Sequence, residues 1–158
     1  VSDYTAGKTA FERFGFSGKL ECYQAAYFGD KPSLSGRLSV RPADERDLAV
    51  LMANSHLVSR EELENIVRRK GILLGYYQNR LIGFIGEHLE GSMGILYVFP
   101  EFRRRGFGAE LQRHLMLKTM AEGYIPFGQV EKDNYASLSL QKKAGMTISD
   151  HLSVWMWR

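Results

Sequence analysis

The stretch LYVFPEFRRRGFGAEL sets three consecutive arginines, Arg103, Arg104 and Arg105, ahead of Gly106, Phe107, Gly108 and Ala109. Its pattern Arg103-x-x-Gly106-x-Gly108 joins an apolar run that reads as a strand to a long amphipathic run that reads as a helix. The chemistry such a joint offers is anion binding. Free amides at a helix N-terminus point at the ligand, and glycine lets phosphate oxygens approach the backbone with no Cβ in the way. The helix dipole contributes only about 0.3–2 kcal/mol, so the flanking arginines are expected to add phosphate contacts. A pyrophosphate suits this arrangement. The Gly-Lys-Ser/Thr ending of the phosphate loop of nucleotide hydrolases is missing, as is the third glycine of a dinucleotide fingerprint. Between Glu101 and Lys118 five basic residues face two acidic ones, yet the whole chain carries only +3, too little to indicate a nucleic-acid partner. The single Cys22 excludes an internal disulfide. His56, His88, His114 and His151 lie too far apart in sequence for a local zinc motif, so no metal is expected.

The elements that must hold this joint are readable from about residue 37. Leu38 and Val40 alternate as in a strand, and Asp44 or Asp47 can cap a helix carrying Leu48, Leu51 and Met52. Ser59-Arg60-Glu61-Glu62 reads as a capping box, its hydroxyl and carboxylate serving opposite orphan donors ahead of Leu63, Ile66 and Val67. GILLGYYQ, RLIGFIGEHL and SMGILYVFP follow as an antiparallel meander split by the Gln78-Asn79-Arg80 and Glu90-Gly91 turns. After the basic loop come a long helix ending at Gly123, a strand from Tyr124 to Val130, a helix from about Asn134 to Ala144, and a strand from His151 to Trp157. The expected order is βααβββαβαβ.

At 158 residues, 44% hydrophobic and 25% charged, the chain is one globular domain with little left over. The absence of a run of 18 apolar residues and the charged first twenty residues make it a soluble cytoplasmic chain with no membrane partner. The segments AFERFGFSGKLECYQAAYFG and LQKKAGMTISDHLSVWMWR echo one another. Each reads as a helix end, a glycine followed by a large apolar residue, and a strand, with Tyr27 and Trp157 each twelve residues past Gly15 and Gly145. Residues 1–35 therefore read as the tail of a preceding copy of the fold or an N-terminal extension, and 36–158 as the domain proper.

Two motifs carry a resemblance to the GNAT superfamily of acyl-CoA-dependent N-acyltransferases. That family's pyrophosphate signature, Arg/Gln-x-x-Gly-x-Gly/Ala after an L-Y-V-x-P strand, is matched by Leu96 to Pro100 and Arg103 to Gly108. Its N-x-x-A-x-x-L-Y-x-K-x-G-F segment is followed in spacing by Asn134, Ser137, Leu140, Gln141, Lys143, Gly145 and Met146. The resemblance implies an α/β, GNAT-like fold with a mixed, mostly antiparallel central sheet flanked by helices on both faces. It implies acetyl-CoA as co-substrate, with Tyr97 and Val98 offering backbone groups to the pantetheine arm and residues 103 to 109 cradling the pyrophosphate. Asn134 and Ser137 would border the thioester end, although Asn134 reads equally well as a helix N-cap. The Trp-x-Trp ending and the half-repeat are similar to the glycine N-acyltransferase-like branch.

Acyl transfer to an amine needs a base for the amine proton and an acid for the departing thiolate. The tyrosine that often serves as acid in the family falls on Gln141, and the glutamate eight residues before the proline falls on Ser92. Candidate substitutes are Glu87, Glu90 and Tyr135, with His88 on the strand face opposite Glu87. The function expected is transfer of an acetyl group from acetyl-CoA to a primary amine of a small molecule, amino acid or peptide by direct attack, with a homodimer left open as its assembly. The alternative is a non-catalytic acyl-CoA-binding module.

Overall fold

The computed structural model describes residues 1–55 and 58–158, so His56 lies outside the described residues. The elements run α1 (Tyr4–Arg13), β1 (Gly18–Ala26), β2 (Ser39–Pro42), α2 (Leu48–Asn54), α3 (Arg60–Arg68), β3 (Ile72–Tyr77), β4 (Arg80–Glu87), β5 (Met93–Val98), α4 (Phe107–Ala121), β6 (Phe127–Glu131), α5 (Tyr135–Lys143) and β7 (Thr147–Trp157). From β2 onward this is the expected order. The chain divides into two compact units, one formed by residues 1–28 with 127–158 and the other by residues 29–126.

The larger unit holds the sheet β2-β3-β4-β5, antiparallel throughout. The two-residue alternation of β3 gives each face its helix. Ile72 and Leu74 join Leu51, Leu63, Ile66 and Val67 of α2 and α3 in one buried cluster. A Cβ at Gly75 would instead meet Leu111 of α4, and Tyr77 packs its ring 5.1 Å from Phe107. Asp44 and Asp47 form a reciprocal capping box around the 3-10 turn Glu45–Asp47 ahead of α2. Asp47 also takes both outer nitrogens of Arg41 at 2.7 and 2.8 Å, tying β2 to that turn.

In the smaller unit β1 lies between β6 and β7, antiparallel to both. The echo seen in sequence is a structural likeness. Helix α1 leads through Gly15 (φ 65) into β1, and α5 leads through Gly145 (φ 79) into β7. Both glycines take the left-handed conformation that ends helices and that other residues resist. The contacts draw the division between units differently from the boundary expected at residues 35 and 36, because β1 needs two neighbouring strands and finds them in β6 and β7. The central sheet expected as one is recorded as two hydrogen-bonded sheets, one in each unit, and all their pairings are antiparallel. β7 begins at Thr147, earlier than His151, because a register shift lets Ala25 and Ala26 of β1 pair with Ile148 and Thr147. β6 begins at Phe127, after exposed Tyr124 and Ile125.

Candidate functional site

β5 is the outer strand of its sheet. Phe99 donates its N–H to Ile82 at 2.9 Å, and the register pairs Gly83 with Val98 and Phe84 with Tyr97. In an antiparallel ladder, residues facing the partner alternate with residues facing away, so Tyr97 bonds toward β4 while Val98 turns its N–H and C=O to the open edge. Of the two residues expected to offer backbone groups, Val98 is the one so directed, with its N–H left to the edge and its carbonyl taken by Arg103. Toward its start the strand carries a bulge, with Ile95 at φ 49 and the register shifted opposite Ile85. Such a bulge bends the strand and interrupts its pairing.

The strand runs into the basic loop through the turn Pro100–Phe102. Arg103 folds back, its Nε donating to the Val98 carbonyl at 2.8 Å and its guanidinium lying 5.5 Å from the Tyr97 ring centre. Arg104 is exposed and sits at φ 60. Arg105 lays its guanidinium over Phe107, Tyr77 and Phe102 at 5.1, 5.4 and 5.9 Å. Gly106, at φ 82, is the N-cap of α4 and brings no side chain to the helix end. The first amides of α4 are therefore left without an intrahelical or side-chain partner. A Cβ at Gly108 would lie at ordinary contact distances of 3.7 and 3.8 Å from Val98 and Leu96. Packing thus does not require glycine there, and its bareness serves whatever approaches the backbone.

One residue of this loop escaped the sequence reading. Arg37 also lays its guanidinium over Phe107 at 5.2 Å and donates from Nη2 to the Arg105 carbonyl at 3.2 Å. It is held there because Ser35, two residues earlier, gives both its backbone N–H and its hydroxyl to Glu110 Oε1, each at 2.7 Å. Glu110 is 1% exposed. Burial opposes its ionisation, but the Ser35 hydrogen bonds and the neighbouring His114 and Arg113 prevail and hold the carboxyl below the usual glutamate range. Burial also lowers the pKa of His114, against the pull of Glu110. No sequence pattern announces Arg37, since it is brought to the loop by a carboxylate 73 residues away in the chain.

The candidate proton carriers fare differently. Glu87, at the end of β4, points to the far part of α4, where it accepts from the Thr119 hydroxyl at 2.9 Å and from Lys118 Nζ at 3.3 Å. That carboxylate is committed to an ion pair. Glu90 Oε1 accepts the hydroxyl proton of Ser92 at 2.5 Å inside the turn between β4 and β5. Ser92, at the position of the family's glutamate, is fully buried. His88 faces α3, its Nδ1 3.6 Å from Glu62 Oε1. Ser59 does cap α3, accepting from the Glu62 N–H at 3.2 Å, but the carboxylate expected to complete the box lies at His88 instead.

In the smaller unit Asn134 is a helix N-cap, its Oδ1 accepting the Ser137 N–H at 3.0 Å. Both residues of that pair are thereby engaged with each other. Tyr135 is 74% exposed and lines, with Tyr23, Leu138, Lys142, Lys143 and Asp150, an open groove of about 780 Å³. No residue of α5 is buried. Among the described residues no group of three or more His, Cys, Asp or Glu could hold a metal ion, and no helix is long and apolar enough to cross a membrane.

The fold is that of known acetyltransferases. A Drosophila protein of solved structure superposes with a TM-score of 0.74 at 22% identity, over 96% of this chain and 55% of its own. An acetyltransferase of the GNAT family from Colwellia psychrerythraea gives 0.67 at 13% identity, over 90% of this chain and 58% of its own. Arabidopsis thaliana Naa50, solved in complex with the bisubstrate analogue CoA-Ac-MVNAL, gives 0.59 at 18% identity, over 72% of this chain and 85% of its own. The chain thus spans little more than half the length of the first two. No curated protein matches it. The family model described as FR47-like protein matches residues 70–156, a stretch that takes in the outer strand, the arginine loop and α4, and by that match over more than half its length the chain belongs to the FR47-like family.

Proposed function

We propose that this chain is an acyl-CoA-dependent N-acetyltransferase that moves an acetyl group from acetyl-CoA to a primary amine. One observation carries the reading: the open edge of β5 leads at Val98 into a helix end whose amides are free and whose loop is lined by Arg37, Arg103, Arg104 and Arg105. An extended, amide-bearing pantetheine arm suits a free strand edge, which it joins as an added strand. A pyrophosphate suits free amides beside guanidinium groups. The bare backbone of Gly108 fits such a ligand, and buried Phe107, with Arg37 and Arg105 both over its ring, anchors the start of the helix. The amine attacks the thioester carbonyl directly, since buried Cys22 has its thiol pushed up to about 11 by burial and by the charge of Glu131, which disfavours the thiolate.

The acceptor we propose is a small molecule, amino acid or peptide amine, in the manner of the glycine N-acyltransferase-like branch; the half-repeat formed by α1-β1 and α5-β7 supports that branch. Calorimetric titration with acetyl-CoA, desulfo-CoA and ATP, followed by thiol release over an amine panel, tests the whole reading. Binding of the two CoA compounds but not ATP, with thiol release, is the expected result; absence of CoA binding by the folded chain would refute it.

A second reading has its own observation. Glu87 and Glu90 are both committed to partners within the fold, which suits an acyl-CoA-binding module with no turnover. Binding of acetyl-CoA with no thiol release for any amine would favour it.

A further inference from the structure

The pair formed by Glu62 and His88 has no part in holding the donor. Side chains alternate along β4, so Glu87 faces α4 and the next residue, His88, faces α3. The imidazole is fixed from three directions. Its backbone closes the turn, the N–H donating to Ser92 and the C=O accepting from Gly91, both at 2.9 Å. Its Nδ1 lies 3.6 Å from Glu62 Oε1, an ion-pair distance, with each side chain 30% exposed. Its other nitrogen, Nε2, rests over Gly94, where a Cβ would come within 2.5 Å of it. Any residue other than glycine at 94 would displace the ring.

This arrangement has chemical meaning. The Glu62 carboxylate stands on the Nδ1 side at 3.6 Å, outside hydrogen-bond reach, and its charge favours a proton on Nδ1 over one on Nε2, which leaves the Nε2 lone pair as a base. Nε2 is thereby held over the first residues of β5, one residue before the bulge at Ile95. A donor whose pyrophosphate sits at the Val98 end, and whose arm follows the strand edge, runs toward this point. His88 also lines a crevice of about 90 Å³ with Arg69, Glu87, Lys118 and Glu122.

We propose that His88 is the general base of the transfer and that Glu62 is its positioning residue. The proposal rests on the acetyl-CoA reading. The amine nitrogen attacks the thioester carbonyl carbon and a C–N bond forms. Nε2 takes the proton released by that nitrogen, the C–S bond breaks, and its electron pair leaves with the CoA thiolate, which is protonated by solvent. Glu87, sequestered by Lys118 and Thr119, takes no part. The charged group beside the imidazole is Glu62 from α3, and Arg69 at the end of that helix, Glu87 from β4, and Lys118 and Glu122 from α4 line the crevice that His88 borders.

The first test needs no acceptor. Nitrogen NMR of the histidine rings in the full chain, with the His88 signal assigned by its loss in H88Q and in H88N, is followed during titration with acetyl-CoA and with ADP. Acetyl-CoA should move the His88 ring signals, and ADP, which reaches only the pyrophosphate end, should leave them in place. A His88 ring unmoved at saturating acetyl-CoA would overturn the proposal while leaving the donor reading intact; a folded chain that binds no acetyl-CoA overturns both. With the amine that gives the fastest thiol release, H88Q should lower kcat by about 100- to 1000-fold, within the usual range for a general base, and leave the acetyl-CoA Kd unchanged. E62Q should cost about tenfold and shift the acidic limb of the kcat/KM profile, and E62D should restore part of the loss. An unchanged kcat and pH profile in H88Q would also overturn the assignment.

Discussion

Helices α4 and α5 both begin directly after a strand and a loop, and both begin on a motif that the sequence ties to one cofactor, yet their N-termini are finished in opposite ways. Asn134 closes α5 with its own side chain. Gly106 leaves α4 open, and the cations around it arrive from Arg37 and the loop. The bodies of the helices differ in the same sense: α4 buries Phe107, Glu110, Leu111, Gln112, Leu115, Met116 and Thr119, and α5 buries none of its residues. A helix end can bind a ligand only if nothing in the chain has already satisfied it, and only if the helix is held still enough to keep its amides in place. By both criteria α4 is the better suited of the two to hold the proposed donor, and the likeness of the two motifs in sequence is not a likeness in structure.

The largest effect should come from emptying the α4 end of charge. Replacing Arg103 and Arg105 together with alanine removes two charge-assisted contacts of about 1.5–3 kcal/mol each, so calorimetry should show acetyl-CoA affinity reduced by at least about 100-fold. The matching change at α5, Lys142 and Lys143 to alanine, should alter it less than about twofold, because surface charges without a fixed partner contribute little. Equal losses would erase the distinction. Gly106→Ala comes next. It forces a Cβ into φ 82, 3.2 Å from Arg37 Nη2, at a cost of about 1–2 kcal/mol. Thermal melts should fall accordingly, and affinity should drop about tenfold as the open amides move. Asn134→Ala should cost about 1 kcal/mol of stability by loss of a cap, with the acetyl-CoA Kd unchanged. If Kd weakens tenfold with no change in melting, Asn134 is a ligand and the contrast between the helices is wrong.

The smallest effect is the share of the acid pH dependence that comes from the unit that holds α5. Hydrogen bonds from Lys132 and Lys19 bring the Glu21 carboxyl from 4.5 down to about 2, with burial opposing them. A carboxyl with a lowered value contributes stability that is present above its unfolded value and lost as pH falls through the folded one. Acid titration of stability should therefore slope between about pH 4.5 and 2, and Glu21→Gln should lessen that slope without touching acetyl-CoA binding.

The arginine loop and the strand before it were legible in sequence because their signals are local: residue type, spacing, and the change from an apolar run to an amphipathic one. The same holds for Ser59 as the cap of α3. What lay hidden depends on contacts between distant residues. Glu62 reads as the second half of a capping box, and only the packing of α3 against the end of β4 turns it to His88. Glu87 reads as a candidate proton carrier until the structure pairs it with Lys118 and Thr119 of α4. Arg37 reaches the loop through Ser35 and a buried glutamate that resembles any other acid on an amphipathic helix. The place of β1 between two strands from the other end of the chain has no local signal, since pairing is set by edges and not by the strand's own residues.

That place of β1 has a consequence for how the protein is made. Gly18 pairs with Trp157 and Cys22 with Ser153, so the middle strand of one sheet leaves the ribosome well over a hundred residues ahead of its second neighbour and waits for it. At about 5–20 residues per second the wait lasts many seconds, long compared with the microseconds to seconds in which small domains fold. Residues 29–126, which form a compact unit of their own, can fold during that time, while β1 keeps an unpaired edge that carries the charges of Lys19 and Glu21. A chain shortened to begin at residue 29 would be spared the wait and would lose the sheet, leaving β6 and β7 with a gap where their shared partner belongs.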